Sequence, residues 1–234
     1  MFNNNFSIGI VGLGTVGTAT IQLLEKKIES INFKSGKNII IKVISSKNFS
    51  KKRNIDLTKY EWENNPEKLA IRDDIDAVVE LVGGSDGIAK SLAFSAINNE
   101  KHFITANKAL IAKHGFELHK KIIDKNTSIY YEAAVAGAIP IINGIKNGLV
   151  SSNIIGIEAI LNGTCNYIMS DMTSNNISFQ DSLKTAQELG FAEADPSFDI
   201  EGIDSAHKLV ILGMLAYGAK PNLDKVFIEG ITSI

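Results

Sequence analysis

The sequence predicts an α/β protein, a parallel doubly wound sheet with helices on both faces, followed by a second domain. Three observations predict it. A short β-branched run ends in a glycine-rich turn that opens a helix, and strand-like segments then alternate with helix-like ones as far as residue 131. The chain is also 44% hydrophobic and 21% charged over 234 residues, enough apolar material for a real core. That length fits one large domain or one and a half ordinary ones.

The elements follow in order. Ile8, Ile10 and Val11 form the β-branched run, as in a buried parallel strand. It leads into Gly12-x-Gly14-x-x-Gly17, and Thr18 to Ser30 follows as a helix with Ala19, Leu23 and Leu24 toward a sheet. This strand–turn–helix context is the Rossmann-type dinucleotide fingerprint. Gly12 permits a tight turn, Gly14 lets the backbone approach a pyrophosphate, and Gly17 lets helix and strand pack closely. The helix N-terminus offers N–H groups and partial positive charge to phosphates. Leu13, Thr15 and Val16 complete the turn as candidate cofactor contacts. A plain structural turn is the alternative.

Ile39 to Ile44 reads as the second strand. A carboxylate at its end would bind the ribose hydroxyls of NAD. Ser45-Ser46-Lys47 stands there instead, with Lys51, Lys52 and Arg53 beyond. Ser46 and Lys47 become candidate contacts, and the reading leans toward NADP(H), with NAD(H) as the alternative. A solvated basic loop is the ordinary reading of any one of these lysines. Residues 47–68 are polar with little strand or helix signal. Asp76 to Gly84 reads as a buried strand, which places Gly83, Gly84 and Ser85 at the carboxyl end, where such folds bind ligands. Ile88 to Asn99 is a crossover helix, Lys101 to Thr105 a strand, Ala109 to Lys125 a helix and Ile129 to Tyr131 a short strand.

From Glu132 the texture changes, which sets domains at 1–131 and 132–234. Ile141 to Leu149 reads as a helix, and Ile154 to Leu161 as a strand ending in Asn162-Gly-Thr-Cys-Asn166. Phe179 to Leu189 is a helix stopped by Gly190. A long helix runs to about Tyr217 and Val226 to Ile231 reads as a strand. Asp204 and Lys208 are four apart and share a helix face. A surface ion pair is the default at that spacing. Against it stands the neighbouring cluster Glu193, Asp195, Asp199 and Glu201.

Composition excludes several classes. The formal net charge is −2, which argues against a nucleic-acid binder. The longest apolar run, Val210 to Ala219, falls short of the roughly 20 residues of a membrane span. No basic stretch followed by an apolar one opens the chain, so no signal peptide is expected. One cysteine, Cys165, forms no internal disulfide and reads as a small core residue. A soluble cytoplasmic protein is expected.

Six motifs in order then carry a resemblance. Gly12-Leu-Gly-Thr-Val-Gly17, Thr105-Ala-Asn-Lys-Ala-Leu110, Glu132-Ala-Ala-Val-Ala-Gly137, Asn162-Gly-Thr164 with Asn166-Tyr-Ile168, Gly190-Phe-Ala-Glu-Ala-Asp-Pro196 and Glu201-Gly-Ile-Asp-Ser-Ala-His-Lys208 resemble homoserine dehydrogenase. The resemblance implies interconversion of L-homoserine and L-aspartate 4-semialdehyde with NADP(H) or NAD(H), in the branch toward threonine and methionine. It implies Lys208 as proton donor and Lys108 as a second active-site lysine near the nicotinamide. Glu193 would bind the substrate amino group, and Asp204 would orient substrate and lysine; Thr164 is a further substrate-binding candidate, with a helix cap as the alternative. Glu132, Val135, Gly137 and Ile139 would hold a monovalent cation, sodium, largely through carbonyl oxygens. His207 receives no role.

This chemistry is coherent: hydride addition to an aldehyde builds negative charge on oxygen, which a lysine ammonium stabilises and protonates. Family members continue past this length, so the resemblance implies a C-terminally truncated core with an incomplete α+β substrate and dimerisation domain, homodimeric when full length. Two alternatives remain: a dinucleotide-binding fragment without turnover, and a related two-domain dehydrogenase of amino aldehydes.

Overall fold

A computed structural model describes residues 4–234. The chain forms two compact units, the first running to Ala134 and the second spanning Val135–Ile234.

The first unit is a six-stranded sheet. Its elements are β1 (Asn5–Val11), α1 (Thr15–Ser35), β2 (Asn38–Ser45), β3 (Glu61–Trp62), β4 (Ala77–Glu80), α2 (Ile88–Asn98), β5 (His102–Thr105), α3 (Lys108–Ile122) and β6 (Ile129–Tyr130). The strand order is β3-β2-β1-β4-β5-β6, and every pairing is parallel. Parallel strands need long crossovers, and α1, α2 and α3 supply them. The order reverses between β1 and β4, where Val11 pairs with Glu80. Ligands of doubly wound sheets bind outside the carboxyl ends of the strands at this switch point. The strands are apolar because both faces are covered. Ile8, Ile10, Ile44, Ala77 and Val79 pack with Leu13 and Ile21 in one core cluster. Burying each of the larger aliphatic side chains contributes about 1.5–3 kcal/mol.

In the second unit α4 (Ile141–Asn143) runs on as a π-helical turn, Gly144–Gly148. Then come α5 (Gly163–Asn175), α6 (Phe179–Glu188), α7 (Ser197–Ile200) and α8 (Ile203–Tyr217). Ile168, Phe179, Ala186, Ala192 and Ile231 form its core with Cys165. No described helix is long and apolar enough to cross a membrane.

Four expectations are corrected. Ile154 to Leu161 and Val226 to Ile231 are not strands. A strand persists only where another takes its N–H and C=O groups, and among the described residues neither segment has a ladder partner. Ile155 is fully exposed and Phe227 nearly so, while Ile231, at the end of the second segment, packs into the core. The Asn162–Asn166 stretch is the start of α5 rather than a strand end, because the Asn162 side chain caps the helix by accepting from the Cys165 amide at 2.8 Å. Residues 47–68 also hold β3, which adds an edge strand through two residues paired to β2.

Candidate active site

The glycine turn between β1 and α1 is set by backbone crowding. Gly12 has φ +101°, and a Cβ there would lie 2.5 Å from the Leu81 carbonyl oxygen. A Cβ at Gly17 would lie 1.9 Å from the Gly12 carbonyl oxygen. Only glycine fits either place. Gly14 differs: a Cβ there would meet nothing within 4 Å. Gly14 is the N-cap of α1 and has no side chain with which to cap it. The open side of the turn therefore coincides with the positive end of the helix dipole. Thr15 and Val16 lie in the first turn of that helix, both exposed, while Leu13 is buried in the core.

At the end of β2, Ser45 and Ser46 line a cavity of about 350 Å³ with Lys47, Val11, Gly83 and Asp86. The Ser45 hydroxyl is buried and has no hydrogen-bond partner among the described residues. Buried hydroxyls are rarely left so. The basic residues of this loop divide. Arg53 turns inward, donating to the carbonyls of Leu13 (3.0 Å), Asn48 (2.7 Å), Phe49 (3.4 Å) and Lys51 (2.8 Å) and to the Ser46 hydroxyl (3.1 Å). Its five N–H groups are thereby used. Arg53 is the clasp between this loop and the glycine turn. Lys47, Lys51 and Lys52 remain exposed.

Beyond β4, Gly83 and Gly84 hold φ of +78° and +81°. Ser85 follows, donating its hydroxyl to Asp86 at 2.8 Å. Lys108 opens α3, whose N-cap Asn107 accepts from the Leu110 amide at 3.1 Å. The loops after β1, β2, β4 and β5 thus bring the glycine turn, Ser46, Lys47, the 83–85 loop and Lys108 to one edge of one sheet.

In the second unit α8 carries Asp204 in its first turn and Lys208 one turn later. The Lys208 ammonium donates to Asp204 Oδ2 at 2.6 Å and to the Leu161 carbonyl at 2.6 Å. Asp204 is 1% exposed. The default reading of a surface ion pair is therefore wrong: packing of α8 against the Leu161–Asn162 segment buries the pair. A buried pair persists only with further hydrogen bonds, and Asn162 provides one. Its Nδ2 donates to Asp204 Oδ2 at 2.8 Å and to Asp199 Oδ1 at 2.7 Å. The sequence does not mark Asn162 or Asp199 as site residues. A polar residue at a strand-like end followed by Gly-Thr was the available signal for Asn162.

Thr164 donates its hydroxyl to the Phe191 carbonyl at 2.6 Å, which ties α5 to the loop holding Glu193. Glu193 is exposed on that loop. Asp195 is spent locally, accepting from the Ser197 amide and hydroxyl. His207 sets its ring edge-on to Phe198, with centroids 5.4 Å apart.

Cys165 is buried beside this network and donates its thiol to the Asp199 carbonyl at 3.2 Å. Burial foremost, then the charges of Asp199 and Asp204, pushes the thiol's pKa up. An alkylating reagent at neutral pH is expected to modify native Cys165 at least about tenfold more slowly than the unfolded chain. Equal rates, followed by mass spectrometry, would contradict this packing.

The four cation-binding candidates fall on both sides of the unit boundary, Glu132 in the first unit and Val135, Gly137 and Ile139 in the second. Between the latter, Ala136 and Ala138 hold φ of +51° and +70°, which costs a non-glycine residue about 1–3 kcal/mol each. Among the described residues no three His, Cys, Asp or Glu side chains are grouped as metal ligands.

Residues 12–132 match the family of the homoserine dehydrogenase NAD binding domain, and residues 140–234 match the homoserine dehydrogenase family. The chain belongs to the homoserine dehydrogenase family. It is 45% identical to the Helicobacter pylori homoserine dehydrogenase, over 97% of this chain and 53% of that protein. It is 44% identical to the one from Pseudomonas aeruginosa, over 97% of this chain and 52% of that protein. The crystal structure of a homoserine dehydrogenase from Thiobacillus denitrificans superposes with a TM-score of 0.90 at 40% identity, covering 99% of this chain and 53% of that one. The chain spans about half the length of the curated relatives it matches.

Proposed function

We propose that this chain interconverts L-homoserine and L-aspartate 4-semialdehyde with NADP(H). The observation that carries the reading is the buried Lys208–Asp204 pair, bound to Asn162 and Leu161, in a homoserine dehydrogenase family member. The first unit fits a dinucleotide on three observations: the open side of Gly14, the crowding at Gly12 and Gly17, and the unbonded Ser45 hydroxyl in the cavity after β2. Gly12 to Gly17 would hold the pyrophosphate, Ser46 and Lys47 the adenosine ribose and its 2′-phosphate, and the 83–85 loop and Lys108 the nicotinamide end. Bound there, the nicotinamide supplies or accepts the hydride.

The protein's part is protonic and positional. An ammonium has three N–H donors, and Lys208 spends two on Asp204 and Leu161. The third serves the substrate oxygen, stabilising charge there and delivering the proton as the aldehyde is reduced. Asp204 keeps the ammonium aimed, and Asn162 keeps Asp204 aimed. Glu193 takes the substrate's own ammonium, with Thr164 fixing the loop on which it stands, and Lys108 is the second active-site lysine.

A sodium ion at Glu132, Val135, Gly137 and Ile139 rests on the family resemblance and on the oxygen-only donors this stretch offers a hard cation. A homodimer, a cytoplasmic location and a place in threonine and methionine synthesis rest on family membership alone.

Two experiments test this reading. In a panel of amino alcohols with NADP⁺, homoserine is expected to be the one turned over; turnover of another alone would replace the substrate. Lys47→Ala is expected to weaken NADPH about tenfold relative to NADH, the worth of one charge-assisted bond to phosphate. An unchanged ratio by isothermal titration would remove Lys47 from the phosphate site.

A further inference from the structure

The proposed site leaves one costly feature unused. Glu80, the last residue of β4, is fully buried, and among the described residues no lysine or arginine pairs with it. A buried carboxylate costs several kcal/mol unless donors replace its water. Three do. Oε1 accepts from the amides of Val82 at 2.7 Å and Gly83 at 3.1 Å, and Oε2 accepts from the Thr105 hydroxyl at 2.6 Å. Thr105, itself 2% exposed, sits opposite Glu80 in the β4–β5 ladder.

The network continues across the edge of the sheet. Thr105 Oγ1 accepts from the Asn107 amide at 2.9 Å. Asn107 Nδ2 donates to the Gly84 carbonyl at 2.6 Å, while its Oδ1 caps α3 at Leu110. The loop after β4 and the turn after β5 are thereby fastened to each other through the side chains of Glu80, Thr105 and Asn107. An apolar residue at position 80 would fill the strand interior at lower cost, but it would leave the Val82 and Gly83 amides and the Thr105 hydroxyl without these bonds.

In a doubly wound sheet the dinucleotide lies across the switch point. The adenosine end falls to the β2 side, so the nicotinamide end falls to the β4–β5 side. We infer that Glu80, Thr105 and Asn107 are positioning residues for the nicotinamide half of the cofactor, holding the 82–84 loop and Lys108 at a fixed separation. This rests on the dinucleotide reading above. None of the three needs to touch the cofactor. Their effect passes through the two loops, in the manner of side chains that pre-organise a site.

The test compares a whole ligand with its half. NADPH and 2′,5′-ADP, which lacks the nicotinamide, are titrated calorimetrically into the unsubstituted chain and into Thr105→Val, Thr105→Ser and Glu80→Gln. Thr105→Val is expected to weaken NADPH about tenfold, the worth of a hydrogen bond to a charged group, while 2′,5′-ADP stays within about twofold. Thr105→Ser, which keeps the hydroxyl, restores NADPH binding. Glu80→Gln turns one acceptor into a donor and is expected to follow Thr105→Val; should it fail to fold, the Thr105 pair decides. Equal weakening of both ligands, or no weakening of either, overturns the inference and leaves the dinucleotide reading intact. Absence of NADPH binding by the unsubstituted chain overturns that reading and the inference with it.

Discussion

Lys208→Ala is expected to lower kcat for homoserine oxidation by about 10²–10⁴-fold, the usual worth of a positioned general acid or base. NADPH affinity should be unchanged within about twofold, because every cofactor contact proposed above comes from residues 12–108. The same substitution should also cost stability. Asp204 is 1% exposed, and removing the cation bonded to it takes the paired charge from a buried carboxylate, at about 3–5 kcal/mol. The two effects are separable. In Lys208→Ala/Asp204→Asn the buried charge is gone, so the urea midpoint should recover while kcat does not. A Lys208→Ala chain with kcat within threefold of the unsubstituted one would remove Lys208 as proton donor. A double variant no more stable than the single one would show that the buried charge was not the source of the cost.

The second large effect belongs to Gly17→Ala. Its methyl carbon would stand 1.9 Å from the Gly12 carbonyl oxygen, and that neighbour is backbone that cannot rotate away. The start of α1 must then shift off β1, pulling Ile21 from the core it shares with Ile8 and Ile10. A loss of about 3 kcal/mol or more is expected, together with loss of NADPH binding. Gly14→Ala is the control. A Cβ there meets nothing within 4 Å, so stability should fall by about 1 kcal/mol or less, the cost of alanine at an N-cap. Binding should nevertheless fall, because the new methyl occupies the side a pyrophosphate would approach. Equal stability losses at both positions by urea unfolding would contradict the crowding, and intact NADPH binding by Gly14→Ala would move the phosphates elsewhere.

How far the site is legible in the sequence depends on the kind of constraint. The glycine turn is readable because its spacing recurs wherever a strand turns directly into a helix; the crowding at Gly17 is local, against the Gly12 carbonyl, whereas that at Gly12 comes from Leu81 and needs the fold. The Asp204–Lys208 pairing is readable from the helical repeat, but its burial is not, since that depends on where α8 meets the Leu161–Asn162 segment. Arg53 illustrates the same limit. Its charge suggests a phosphate ligand, and only the fold reveals that its donors close on the carbonyls of its own loop and of Leu13. Asn162 reads as a turn residue because the two carboxylates it joins come from α7 and α8, 37 and 42 residues away. Glu80 ends an otherwise apolar strand, and its partners become visible only once β4 and β5 are paired. Ile154 to Leu161 and Val226 to Ile231 carry strand-like composition without a partner strand, and composition does not report partners.

In the proposed reaction hydride passes between the nicotinamide bound at the edge of the first unit's sheet and the carbonyl carbon of aspartate 4-semialdehyde. Reduction of the semialdehyde with NADPH deuterated at the transferable position, followed by mass spectrometry of the product, tests it directly. The expected product is homoserine carrying one deuterium on the carbinol carbon, with no deuterium on that carbon when the label is in the solvent instead. Homoserine without deuterium from the labelled cofactor, or no homoserine at all, would contradict it.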